Sequence, residues 1–173
     1  MKELTGKIAL SLALLFLVLP AQASDQSGDR LLEIAREVIA ASGTCVLITL
    51  DSEGRPHART MDPFEPEDGL VVWLGTNRLS RKVEEIRKDP RVTLYYFDAD
   101  SPGYATITGT ARLVEESEEL ERRWKPAWSA FYPDRESTYL LIEVTPLRLE
   151  VISVRHGLEG DPETWTPPSV TFE

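Results

Sequence analysis

The sequence predicts a mainly β fold with flanking helices, arranged as a small antiparallel barrel. Three observations carry this. Short segments rich in β-branched and aromatic residues recur between turn-forming residues, giving five or six strands. Several are joined by hairpin-length connections, which make antiparallel neighbours. Three helical segments decorate the series, and 173 residues suffice for one domain with a real core.

The first residues of the chain read as an export signal. Lys2 and Lys7 precede an uncharged run at residues 8–19, Pro20 ends it, and Ala21 and Ala23 supply small residues for signal peptidase. The run is too short for a membrane-spanning helix, which needs about 20 residues. Cleavage between Ala23 and Ser24 is expected, giving a periplasmic or secreted protein with no stable membrane span. The mature domain is then residues 24–173, with a core at about 31–154 and a Pro/Gly-rich tail at 155–173.

Asp29 is placed to cap a helix from Arg30 to about Ser42, whose stripe is Leu31, Leu32, Ile34, Ala35, Val38 and Ile39. Residues 44–50 (TCVLITL) form a strand, 51–54 a hairpin turn, and 56–61 the partner strand. After a second turn, the run 70–74 is apolar throughout and reads as a strand buried on both faces. A helix is expected at about 79–88, stopping at Asp89-Pro90. Strands follow at 91–97 and 104–113, then an acidic helix at 115–124 and a long strand at 138–154 interrupted by Pro146.

Composition narrows the function. The formal charge is −10, and −11 once Lys2, Lys7 and Glu3 leave with the signal, so the chain lacks the positive field that nucleic-acid binding needs. One cysteine, Cys45, excludes an internal disulfide, and it reads as a small buried hydrophobe. Two distant histidines, His57 and His156, do not make a metal pair.

Against that acidic background, residues 75–88 (GTNRLSRKVEEIRK) place Arg78, Arg81 and Lys82 at a helix start, where bases are disfavoured. A docked anion would reverse the sign, because the cations and the free N–H groups would then share one ligand. A solvated basic turn paired to surplus carboxylates is the other reading. Arg59, on the strand just before the one feeding this helix, is placed to reach the same anion, and Ser80 can cap the helix and donate to it.

Thr76-Asn77-x-x-Ser80-Arg81-Lys82, followed by Ile86 and Asp89-Pro90-Arg91-Val92, resembles the flavin-phosphate motif of the pyridoxamine 5′-phosphate oxidase family. The upstream Pro56, Arg59 and Met61 are similar too, and the general-stress-protein branch is the closest likeness. The resemblance implies a split β-barrel that binds FMN at a homodimer interface. It implies that Arg59, Ser80, Arg81 and Lys82 hold the phosphate and ribityl chain, and that Thr60, Met61, Gly75 and Thr76 line the flavin ring. Tyr104 falls where a residue of the partner subunit reaches the cofactor; an ordinary strand aromatic is the other reading.

Arg155 and His156 are adjacent where the family's oxidases carry an Arg-x-His substrate motif, so the resemblance does not extend to the substrate motif of the namesake reaction, and His156 reads as a surface residue of the tail. His57 either tunes the flavin or is a satisfied strand histidine. Trp124, Trp128, Phe131 and Tyr132 either close a pocket for a planar ligand or fill the core, and Trp165 is expected over the barrel mouth. The resulting expectation is an exported, homodimeric, flavin-dependent oxidoreductase acting on an unidentified small molecule. A non-catalytic envelope protein that binds flavin, deazaflavin or haem is the alternative.

Overall fold

Helix α1 (Gln22–Ser42) opens the computed structural model, which describes residues 22–173. Ile34, Ala35, Val38 and Ile39 are buried in the main core, and Leu31 and Leu32 pack against it. Asp29 lies inside α1 and does not cap it, because no proline in residues 22–29 takes the chain off the helical path. Residues 1–21, which carry most of the expected export signal, lie outside the described residues.

The strands are β1 (Cys45–Leu50), β2 (Pro56–Met61), β3 (Val72–Asn77), β4 (Arg91–Asp98), β5 (Gly103–Val114), β6 (Tyr139–Ser153) and β7 (Ser169–Thr171). They form one antiparallel sheet in the order β2-β1-β4-β5-β6-β3, with β7 on β6. Helices α2 (Arg81–Lys88), α3 (Ser117–Arg122) and α4 (Arg135–Thr138) fill the connections.

The third strand differs from the sequence expectation in a way that matters for the site. Gly69 and Leu70 take φ of 66° and 60°, so the chain turns there and cannot yet extend. Extension begins at Val72 and continues through Gly75 to Asn77, because β6 supplies ladder partners as far as Tyr139.

Long β6 bends at Pro146, which has no N–H for the ladder. The register shifts between Thr108 and Gly109 opposite it, and a Cβ on Gly109 would strike the Thr145 carbonyl. Before the bend β6 pairs with β3, and after it with β7, so the sheet curls into a half-barrel. Leu47, Leu94, Tyr96, Ile107, Leu149 and Val151 fill its concave side against α1.

Strands β2 and β3 stand at opposite ends of the sheet order, so Arg59 is not on a ladder neighbour of β3 as expected. The curl nevertheless brings these two ends together. Pro63 and Leu74 form an isolated antiparallel bridge, and Phe64 N donates to Trp73 O at 2.9 Å. This closure makes a split barrel with a seam.

Candidate functional site

The seam opens into a cavity. Counting back from Pro63 and forward from Leu74, the two chains part, and the gap between Thr60, Met61 and Asp62 on one side and Gly75, Thr76 and Asn77 on the other is a hollow of about 520 Å³. That is within the usual size of small-molecule sites. A third wall comes from Ala127, Trp128, Phe131 and Tyr132, in the turn before α4. Gly75 makes this wall possible: a Cβ there would collide with the Trp128 ring and lie 2.9 Å from Tyr139. Trp128 is fixed by its Nε1 donating to Asp62 at 2.8 Å, and Lys125 pairs with the other Asp62 oxygen at 2.5 Å. The aromatic residues thus serve both readings. Trp124, Trp128 and Tyr139 pack edge to face as a small core, while Trp128, Phe131 and Tyr132 also face the cavity.

The start of α2 closes one end. Ser80 occupies the N-cap position in extended conformation, and its hydroxyl lies 3.2 Å from Thr76 Oγ1 instead of capping the helix. Lys82, on the cavity wall, donates to the same Thr76 Oγ1 at 2.9 Å. Among the described residues no carboxylate lies within ion-pair distance of the Lys82 ammonium. Burial, and then the charge of Arg59, lowers its pKa below the ordinary lysine value.

Arg59 and Arg81 form the second half of this cationic group. Arg59 donates to Leu47 O at 3.2 Å, Thr49 Oγ1 at 2.6 Å and Glu85 Oε2 at 3.1 Å, and Arg81 Nε lies 3.0 Å from Glu85 Oε1. Burial lowers the Arg59 pKa, opposed by Glu85. Burial raises Glu85, but hydrogen bonds from Thr49 and His57 and the charge of Arg59 outweigh it and hold the carboxyl below its ordinary value. Three cations against one carboxylate leave a formal charge of +2.

Of the residues expected at the site, Thr60, Met61, Gly75, Thr76 and Lys82 line the cavity; Arg59, Ser80 and Arg81 do not line it, Ser80 meeting the lining residue Thr76 and the two arginines meeting on Glu85. Arg78 does not join them. It precedes α2 and pairs with Glu115 at 2.7 Å, because the helix begins at Arg81, two residues later than expected. Tyr104 does not line this cavity. It stacks on Tyr95 on the outer face of the sheet, with ring centroids 5.7 Å apart, beside a second hollow shared with Ile152 and Trp165.

His57 is a satisfied strand histidine, with Nδ1 2.5 Å from Glu85 Oε1. His156 is tied down as well, 2.8 Å from Ser153 Oγ and 3.1 Å from Glu37. Trp165 does not cover the barrel: a turn closed by Asp161 holds it at φ 60° and 83% exposed. Glu85, Asp62 and Ala127 are the site residues that sequence reasoning passed over, and Asn77 was quoted in the motif without a role. The available signal for Glu85 was its place between Val83 and Ile86 on the buried side of α2.

The family model for pyridoxamine 5′-phosphate oxidase matches residues 31–153. General stress protein 26 of Bacillus subtilis is 29% identical over 98 residues, 54% of this chain and 69% of that one. Among solved structures, a Clostridium acetobutylicum protein related to general stress protein 26 superposes with a TM-score of 0.65 at 20% identity, covering 84% of this chain and 95% of that one. A pyridoxamine 5′-phosphate oxidase-related, FMN-binding protein of Nostoc punctiforme gives 0.54 at 13% identity, covering 91% and 98%. A haem-binding protein of Mycobacterium smegmatis gives 0.59 at 19% identity, covering 82% and 57%. At these identities the solved structures show a shared fold. The matched segment runs from α1 to the end of β6 and contains the whole seam, and the chain belongs to the pyridoxamine 5′-phosphate oxidase family.

Proposed function

We propose that this protein is an exported, homodimeric FMN-binding flavoprotein that acts as a flavin-dependent oxidoreductase on a small molecule. The observation that carries the reading is Lys82, a half-buried ammonium without a carboxylate partner among the described residues, set at a helix start and on a cavity wall. Both its burial and its neighbour Arg59 disfavour its charge, and the negative charge of a phosphate docked there would offset both costs. The rest of the cavity fits the cofactor: its volume is adequate, and the bare Cα of Gly75 lets an aromatic wall stand close to the strand.

In this reading Arg59, Ser80, Arg81 and Lys82 hold the phosphate and ribityl chain, and Thr60, Met61, Gly75 and Thr76 line the ring. When bound, the flavin supplies the redox chemistry. The chain's part is to anchor the phosphate, orient the ring against Trp128 and Tyr132, and keep water from one of its sides.

The dimer is supported by the outward face of the sheet. Val46, Ile48, Tyr95, Phe97, Tyr104 and Ile152 point away from the core and are only partly covered, where a solvated antiparallel face carries polar residues. A second copy on this face would cover them and bring in Tyr104 as a partner residue. Export rests on residues 1–23; no helix among the described residues is long and apolar enough to cross a membrane.

Haem binding without turnover has one observation in its favour: Met61 lines the cavity, and a thioether can be an axial haem ligand. A deazaflavin would use the same cationic end. The visible spectrum of the protein purified from its host separates these, as a flavin doublet or a Soret band. Titration with FMN then tests the site. Arg59→Ala and Lys82→Ala each remove a charged contact of about 1.5–3 kcal/mol, roughly tenfold or more in affinity, and wild-type binding by both variants overturns the phosphate site.

A further inference from the structure

Glu85 is a carboxylate on the buried side of an eight-residue helix, and it is 4% exposed. A carboxylate leaves water only where donors replace its hydration, and here the donors are complete. Oε1 faces His57 Nδ1 at 2.5 Å and Arg81 Nε at 3.0 Å, while Oε2 receives Thr49 Oγ1 at 2.5 Å and Arg59 at 3.1 Å. Three elements, β1, β2 and α2, therefore meet on one side chain.

The consequence for Arg59 is rigidity. Its guanidinium is held at Leu47 O, Thr49 Oγ1 and Glu85 Oε2, which uses three of its five N–H donors and stops it rotating. Arg81 is held by Nε alone, and its side chain is 68% exposed. Glu85 thus engages one side of each guanidinium and leaves donors unspent on both.

We propose that Glu85 is the positioning residue of the anion cradle: it helps fix Arg59 for a terminal phosphate, tethers Arg81 beside it by one contact, and trims the cradle to a charge of +2. A phosphomonoester carries about −1.5 to −2 near neutral pH, so the charges match. The inference rests on the reading of the α2 end as a phosphate site.

Positioning and simple charge balance make opposite predictions for Glu85→Gln. The substitution keeps the shape and raises the cradle to +3, so pure attraction would tighten anion binding, whereas lost positioning weakens it. Two measurements on the full-length chain read this: the rise in thermal midpoint on adding inorganic phosphate at constant ionic strength, and the ratio of FMN to riboflavin affinity. Wild type is expected to show both a phosphate-dependent rise and at least a tenfold FMN preference. Glu85→Gln is expected to keep riboflavin affinity, lose at least fivefold of the ratio, and lose most of the phosphate-dependent rise. A merely structural role would lower the midpoint equally with and without phosphate.

Thr49→Val provides a second variant should Glu85→Gln not fold. It removes one hydrogen bond from each of Arg59 and Glu85 without changing charge, and it is expected to lower the ratio as well. An unchanged or increased ratio in either variant overturns the proposal, as does a wild type indifferent to phosphate. A wild type stabilised by phosphate that binds neither flavin overturns the flavin reading and leaves the cradle standing, with the phosphate-dependent rise then deciding the role of Glu85.

Discussion

Pro63 and Leu74 form a single antiparallel bridge between the two ends of the sheet, and the cavity begins where the chains part beside it. The bridge places Thr60, Met61 and Asp62 across from Gly75, Thr76 and Asn77, although β2 and β3 are the first and last strands of the order β2-β1-β4-β5-β6-β3. Closure of the barrel and formation of the site are therefore one event. A substitution that disturbs the seam should affect both stability and ligand binding.

Gly75→Ala tests that coupling. The added methyl meets the rings of Trp128 and Tyr139, both of them packed in the aromatic cluster and unable to yield cheaply. Overpacking of this kind costs about 1–3 kcal/mol, a loss of several degrees in thermal midpoint for a chain of this size. FMN binding should weaken in parallel, because Trp128 must shift into the cavity or away from Asp62. A variant as stable as wild type would mean that the wall is loosely packed.

The parts of the site that were legible in the sequence are those whose signal is local. Arg81 and Lys82 announce themselves as bases at a helix start, and the spacing to Arg59 falls within one strand and one turn. The meeting of β2 and β3 was not legible, since it depends on the bend at Pro146 and the close approach at Gly109, both remote from the site. Glu85 was hidden for a different reason. An acid four residues after an arginine is the ordinary pattern of a solvated helix face, and only the placement of Thr49 and His57 on neighbouring strands buries it. The wall from Ala127 to Tyr132 depends likewise on the space Gly75 leaves.

Acid should destabilise the protein through identifiable carboxylates. Hydrogen bonds from the Arg91 side chain and backbone hold Asp89 at about 2, and those from the Arg55 backbone and side chain hold Asp51 at about 2, both below the ordinary 3.8. A carboxyl whose folded value is depressed contributes stability above its unfolded value and loses it as pH falls toward the folded one. The loss here falls between about pH 4 and 2, and Glu85, depressed in the same direction, adds to it. Urea midpoints at pH 7, 4 and 2 check this. Asp89→Asn and Asp51→Asn should each lower the pH 7 midpoint and shrink the drop between pH 4 and 2; an undiminished drop in both would place the acid sensitivity elsewhere.

Cys45 should be inert in the folded protein. The residue is 2% exposed, and burial pushes the pKa of its thiol up to about 12. The reactive thiolate is therefore scarce at pH 8 and sterically closed off. A maleimide or aromatic disulfide reagent should label no cysteine in native protein and one equivalent per chain in denaturant. Rapid native labelling would show that the strand pair β1 and β4, which shields the thiol, opens readily.

The outward face of the sheet predicts its own failure mode. Phe97 is 52% exposed, and Tyr95 beside it is stacked on Tyr104 of the neighbouring strand, so this row is apolar without being core. Phe97→Glu places a charge there without touching the concave core, and it should leave the fold intact while opposing association, since an unpaired carboxylate in a buried interface loses its hydration. Wild type is expected to elute as a dimer and Phe97→Glu as a monomer by light-scattering-coupled size exclusion, with an unchanged circular dichroism spectrum. If Tyr104 completes the cofactor site across that interface, the monomeric variant should also bind FMN less tightly although every residue of its own seam is intact. A monomeric wild type, or a Phe97→Glu dimer with full FMN affinity, would remove this face from the assembly.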